Sequence, residues 1–384
     1  MKQYLLFIIS AALFVSCSER EMVIDDDIPA GNIVLEKISN DTVYVHQDLR
    51  DTRTDWFYWA FRVKGAQGRK LTFVFTESRA VCDRGPVVSL DKGKTYEFLA
   101  EEGATKHSFT YEFPEDVKEV WFYECFPYTP QMWQSFVEAP HVGDFETGVF
   151  CKSRGGLDVP FLKVSPKEGK PALSAVVTSR HHCSEAPATY VLEGFVSAFL
   201  EDSELGSWLR ANIELIVVPF VDMDGVVAGD QGKNRAPHDH NRDYTEFIYP
   251  EVATLAKLMT DIQPDVFLDF HNPTHTGKYI YSPLSPVRGT LDEDFGNLVE
   301  KYQEGGLNYK SSDDLPFGVS WNTSKNYAEG LSSRNWVNTN IKDIKISRTF
   351  EIPFTYANGA EVYPDRMILF GHGIARALRA VLEE

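Results

Sequence analysis

The apolar pattern of this chain changes period part-way along, and that change limits the fold more than any other feature. Between residues 56 and 138 the apolar positions come in short aromatic-rich runs at 56–63, 71–75, 108–113 and 119–124, with period-two alternation. Gly, Asp and Pro break these runs at intervals of about eight to twelve residues, the pattern of an all-β sandwich. After Gly143 the runs become continuously apolar. Residues 171–178 read as a strand buried on both faces. A helix over 187–200, a strand over 213–220, a helix over 251–262 and strands over 265–270 and 344–352 follow. Residues 367–382 close the chain as a helix with apolar spacing near 3.6. Strand–helix alternation of this kind predicts an α/β domain with a largely parallel sheet, whose functional residues sit at the carboxyl ends of the strands.

The chain has 384 residues, enough for two domains. The pattern places an all-β sandwich over 32–145 and the α/β domain over 146–384. Thirty-eight Lys and Arg against 56 Asp and Glu give a net charge of −18, which argues against binding nucleic acid or an anionic membrane surface. Aromatic Trp56, Tyr58 and Trp59 either line a sugar-binding face or fill the sandwich core, the commoner place for strand aromatics.

Residues 1–17 read as a lipoprotein signal peptide. Lys2 is followed by an apolar run over 5–15, and Phe14-Val15-Ser16-Cys17 resembles a bacterial lipobox; a plain secretory signal cut nearby is the alternative. Residues 18–31, with Glu19, Glu21 and Asp25-Asp26-Asp27, read as a flexible acidic tether. The expectation is an exported protein held in the bacterial cell envelope, periplasmic or on the outer membrane, by a lipid on Cys17. Cys82, Cys125, Cys151 and Cys183 remain, an even number for an oxidising compartment, with three possible pairings and no CxxC spacing.

Six of the ten histidines, His181, His182, His238, His240, His271 and His275, fall just past expected strands or in loops. The chain has one HxxE, His182 to Glu185, directly after the first strand of the α/β domain, and His271 directly follows another. Two His and one Glu are a three-ligand zinc set with an open fourth position, the catalytic arrangement. Taken singly, HxxE also fits acidic residues favoured in a first helical turn, and His271 a buried histidine satisfied by a carbonyl. Arg235 and Arg242, the latter beside Asn241, suit carboxylate and oxyanion recognition, or surface ion pairing in an acidic protein. Glu351 ends an apolar strand, where a carboxylate is costly unless paired or catalytic, so it is a candidate general base.

The ordered set His182-x-x-Glu185, Met223-Asp-Gly225, Asn241-Arg242, His271 and Thr349-Phe-Glu351 resembles the zinc carboxypeptidase family. The aromatic β-region ahead of it makes the chain most similar to the cytosolic-carboxypeptidase branch. That resemblance implies a carboxypeptidase-like mixed sheet flanked by helices, preceded by a β-sandwich. It implies one Zn²⁺ per chain on His182, Glu185 and His271, and Glu351 as the base that activates water and protonates the leaving amine. It implies Arg235 as carbonyl polariser, and Asn241 and Arg242 as the grip on the terminal carboxylate of a peptide substrate. Tyr327 is a candidate for the tyrosine the family places upstream of the base. Arg334 and Trp336 lie where side-chain specificity is set, and an arginine inside that pocket would favour an acidic terminal residue; an exposed loop arginine is the alternative. Asp243 or Asp269 is a candidate to orient a ligand histidine.

Two other functions fit the sequence. A peptidoglycan stem-peptide amidase would share the zinc site. A catalytically inactive lipoprotein that binds glycan or peptide through its aromatic β-domain belongs to a different class.

Overall fold

The computed structural model describes residues 22–99, 103–167, 169 and 171–383. The signal segment, Cys17 and residues 18–21 of the expected tether lie outside the described residues.

Two five-stranded sheets form the N-terminal half. One runs Val23–Asp25, Ala60–Lys64, Glu119–Tyr123, Val87–Ser89, Glu97–Phe98, antiparallel throughout. The other runs Val34–Ser39, Thr42–His46, Lys70–Phe75, Ser108–Glu112, Ala104–Thr105, with one parallel pair, Thr42–His46 beside Lys70–Phe75. Alternate residues of the strands point inward, and the aromatic ones meet in the middle. Phe61 lies 5.3 Å from both Phe73 and Phe122, ring centre to ring centre, and Phe73 stacks on Phe109 at 4.9 Å. Trp59 is fully buried among them and donates its indole N–H to Ala80 O at 2.7 Å. Tyr58 is buried as well, so these aromatics are core rather than an open glycan platform.

The expected tether is corrected from Met22 onward. Val23–Asp25 is an edge strand of the first sheet, and Asp25 pairs with Arg62 at 2.6 Å while Asp27 pairs with the same guanidinium. The acidic run has a cationic partner on the neighbouring strand, which holds it against the sandwich instead of leaving it to solvent.

The C-terminal half is built on a six-stranded mixed sheet. Its order is Glu146–Lys152, Asp158–Val164, Ile213–Val218, Leu173–Ser179, Val266–His271, Ile346–Glu351. The first two strands are antiparallel additions and the last four are parallel. Those four are almost continuously buried, as their apolar runs require. The chain leaves Leu173–Ser179 toward one side of the sheet, then returns to build on the other. The reversal falls between Leu173–Ser179 and Val266–His271, where α/β sheets open a crevice at their carboxyl ends.

Helices Pro187–Leu200 and Pro364–Glu383 cross over one face at glycines. A Cβ on Gly194 would lie 2.1 Å from Ile368 O, and one on Gly371 2.2 Å from Val191 O, so the two backbones touch there. Among the described residues no helix is long and apolar enough to cross a membrane. The even cysteine count does not translate into bridges. Cys82 donates to Glu124 at 2.8 Å, Cys183 to Asp230 O at 3.1 Å, and all four described cysteines are free thiols.

Candidate active site and metal centre

Leu173–Ser179 ends at Arg180, whose φ of 59° turns the chain sharply out of the sheet. The buried Arg180 guanidinium folds back on the loop it begins, its Nε donating to Cys183 O at 2.7 Å and its Nη1 to Tyr128 O at 3.0 Å. This closes the turn that carries His182 and Glu185, and Glu185 N donates to His182 O at 3.2 Å. His271 ends the adjacent strand. Its neighbour Asn272 fixes the helix start by accepting from Ala188 N at 3.0 Å and donates to Ile352 O beside Glu351.

These elements bring three donors together. His182 Nδ1 lies 2.9 Å from Glu185 Oε1 and His271 Nδ1 lies 2.7 Å from Glu185 Oε2, all three side chains being buried. One ligand atom from each lies within 4.8 Å of the others, and two imidazole nitrogens with one carboxylate suit zinc. Each histidine turns its other nitrogen to a carboxylate: His182 Nε2 to Asp239 at 3.5 Å, His271 Nε2 to Asp269 at 2.9 Å. That arrangement fixes each ring and leaves both Nδ1 atoms facing inward. Burial alone would raise the Glu185 and Asp269 carboxyls, but the imidazoles hold both well below the ordinary range. Burial would lower His271, yet Asp269 and Glu185 outweigh it and push the ring well up. Asp269 also accepts from Ser333 Oγ at 2.6 Å and Thr178 Oγ1 at 2.8 Å, and it sits 3.0 Å from His181 Nδ1.

Glu351 stands directly opposite His271 in the strand register. Burial pushes its carboxyl up; His271 draws it down and Glu185 raises it further. Asn241 lies against the cluster, Nδ2 3.3 Å from His271 Nε2, with Oδ1 accepting from Ser333 N at 2.8 Å. Arg242 donates only to the carbonyls of Asn326 and Asn241, and its guanidinium lies over the Tyr327 ring at 5.1 Å. Among the described residues no carboxylate pairs with it.

Arg235, the expected carbonyl polariser, is engaged by carboxylates: its Nη2 is shared by Asp222 at 3.0 Å, Asp51 at 3.1 Å and Asp230 at 3.6 Å. Lys233, two residues earlier, comes to 3.4 Å from His182 Nε2 instead. Arg334 is no exposed loop residue. It is buried in helix Ser333–Asn340, and its Nη1 has no hydrogen-bond partner. Trp336 on the same helix is buried too.

Of the two aspartates considered for orienting a ligand, Asp269 meets His271, whereas Asp243 holds His238 at 2.7 Å. Asp239 was missed, although its place two residues before Asn241 was a usable signal. The other histidines have structural partners: His181 bonds Tyr244, His240 bonds Glu251 and stacks on Tyr249, and His275 packs on Phe57.

The fold and this geometry can be set beside known proteins. Cytosolic carboxypeptidase 2 of Xenopus tropicalis is 28% identical over 181 residues, 43% of this chain and 19% of that protein. Cytosolic carboxypeptidase 3 of Mus musculus is 26% identical over 274 residues, 59% of this chain and 26% of that protein. The chain therefore spans about a fifth to a quarter of the length of these relatives. A metallo-carboxypeptidase from Burkholderia cenocepacia superposes with a TM-score of 0.77 at 17% identity, covering 95% of this chain and 99% of its own. One from Pseudomonas aeruginosa, in complex with (2-guanidinoethylmercapto)succinic acid, gives 0.76 at 20% identity, covering 94% of this chain and 99% of its own. Both show the two-part architecture to be a known one. The zinc carboxypeptidase pattern itself matches residues 141–369, more than half of the sequence and all of the strand ends just described, and the chain belongs to that family.

Proposed function

We propose that this protein removes C-terminal residues from peptides that carry a free terminal carboxylate, with zinc held by His182, Glu185 and His271. Zinc in a set of this kind supplies Lewis acidity. Glu351 takes the proton of the attacking water and then delivers it to the departing amine. A carboxyl raised by burial suits a group that must hold a proton part-way through the reaction. Arg242, which among the described residues forms no ion pair, pairs with the terminal carboxylate, and Asn241 braces the wall beside His271. The buried, unpartnered Nη1 of Arg334 favours an acidic terminal side chain.

One observation carries this reading. A buried His–Glu–His donor set faces a further carboxylate across adjacent strand ends, while among the described residues no carboxylate lies within ion-pair distance of Arg242 or Arg334, in a chain of net charge −18. The test is digestion of a peptide library by the zinc-loaded protein, read by mass spectrometry, with C-terminally amidated peptides and Glu351→Gln as controls. Single-residue losses from free acids only, absent in the variant, are expected. Equal cleavage of amidated peptides would sink the exopeptidase reading. Cleavage of stem peptides alone would move the substrate to the cell wall.

A further inference from the structure

The β-sandwich reaches into the site. Segment 228–235 of the catalytic half has almost no internal hydrogen bonding and is held from both sides. Arg50 donates to Ala228 O at 2.7 Å and to Asp230 at 2.9 Å. Asp51 accepts from Gln231 N at 2.9 Å and from Gly232 N at 2.8 Å, and it pairs with Arg235. Gln231 brackets Tyr58, accepting from its N–H at 2.9 Å and donating to its carbonyl at 2.8 Å. Asn234 O accepts from Arg53 N at 3.2 Å, and its side chain reaches Thr54 at 3.0 Å. On the other side the segment lies flat on the zinc turn. A Cβ on Gly232, where φ is 75°, would be 2.5 Å from Cys183 N.

The backbone on either side of Lys233 is therefore fixed to the sandwich. Its flanking residues Gly232 and Asn234 are both anchored to the sandwich, and no carboxylate lies within ion-pair distance of its ammonium among the described residues. Its ammonium lies 3.4 Å from the far nitrogen of His182. Were zinc held on Nδ1, the ring would keep its proton on Nε2, toward Asp239, and would offer the ammonium no acceptor. A flexible four-carbon stem would then let the ammonium turn from His182 toward the crevice at the strand ends.

We propose that Lys233 is the cation that faces the carbonyl oxygen as it gains negative charge, and that Asp51 of the β-sandwich is the positioning residue that aims it. This rests on the carboxypeptidase reading above. It gives the sandwich a task in the reaction and explains why Arg235, spent on three aspartates, is not that cation. A cation placed beside a developing oxyanion acts in the transition state more than in the bound substrate.

The test uses the full zinc-loaded chain and its Lys233→Met, Lys233→Arg, Asp51→Asn and Asp51→Asn/Lys233→Met variants. Lys233→Met should lower kcat by about 10²–10³-fold with KM within about threefold and zinc content unchanged. Lys233→Arg should recover at least about tenfold of that loss. Asp51→Asn should lower kcat by about tenfold and speed hydrogen exchange at Gln231 and Gly232, and the double variant should be no slower than Lys233→Met. Should Asp51→Asn not fold, Asn234→Ala releases the same segment from Thr54 and replaces it. A Lys233→Met enzyme within about threefold of wild type overturns the proposal, as do additive losses in the double variant. Wild type inactive on every free-acid peptide would instead defeat the carboxypeptidase reading. Affinity for a phosphinic peptide, whose tetrahedral anion mimics the oxyanion, then decides: weakened binding by Lys233→Met upholds the role, equal binding overturns it.

Discussion

His271 and Glu351 are the last residues of two neighbouring parallel strands and stand directly across from each other in their register. The pairing places the proposed metal donor and the proposed proton carrier a strand spacing apart without involving any loop. Glu351→Gln should therefore keep zinc and fold while losing about 10²–10⁴-fold in kcat. Zinc stoichiometry measured beside turnover checks it, and loss of zinc in the variant would mean that Glu351 acts on the metal set instead.

Asp239 and Asp269 lie against the Nε2 atoms of His182 and His271, the two imidazoles proposed to hold zinc. Asp239→Asn is expected to weaken zinc by about 10–100-fold, read by competition with a chromogenic chelator. Turnover at saturating zinc should fall much less. Unchanged zinc affinity would show that His182 is held by its backbone alone.

Arg334 buries a guanidinium whose Nη1 has no partner. If an acidic side chain completes it, Arg334→Gln should lower kcat/KM for peptides ending in Glu by at least about tenfold relative to those ending in Gln. The same ratio in both enzymes would exclude Arg334 from the pocket.

Glu124 gives the fold a pH dependence unrelated to catalysis. Burial pushes its carboxyl up to about 7 from an ordinary 4.5, with Cys82 and Cys125 partly opposing. The folded state thus binds the proton more tightly than the unfolded chain does. Stability should fall as pH rises from about 4.5 to about 7, by up to about 3 kcal/mol from this group. Glu124→Gln removes that slope, so its thermal midpoint should gain on wild type between about pH 5 and about pH 8. Parallel midpoint curves would contradict the assignment.

The cysteines provide a simple chemical check. All four described thiols are free, so alkylation of the denatured protein should label them equally with and without reductant. A reductant-dependent gain of two labels would reveal a bridge.

Much of this arrangement was legible in the residues, and what was not has physical reasons. The strands around 173–179, 266–271 and 346–351 announce themselves because burial on both faces leaves no polar alternation. His182, Glu185, His271 and Glu351 could be read because each lies within a few residues of such a strand. The surroundings of Arg235 could not be read, since a residue in an irregular segment points wherever its neighbours send it. Three aspartates, one of them from the other half of the chain, share Arg235. Residues 22–31 looked like a solvated linker because composition says nothing of an Arg62 waiting on a strand far along the sequence.

The clasp between residues 48–58 and segment 228–235 also limits how such chains can recombine. A β-sandwich that merely stood beside its neighbour could be exchanged as a cassette between parents. Here a crossover between the two would separate Asp51 from the amides of Gln231 and Gly232, and Arg50 from Asp230. A chimera that takes both strips from one parent keeps these bonds, and one that splits them loses the ion pairs that Arg50 and Asp51 make.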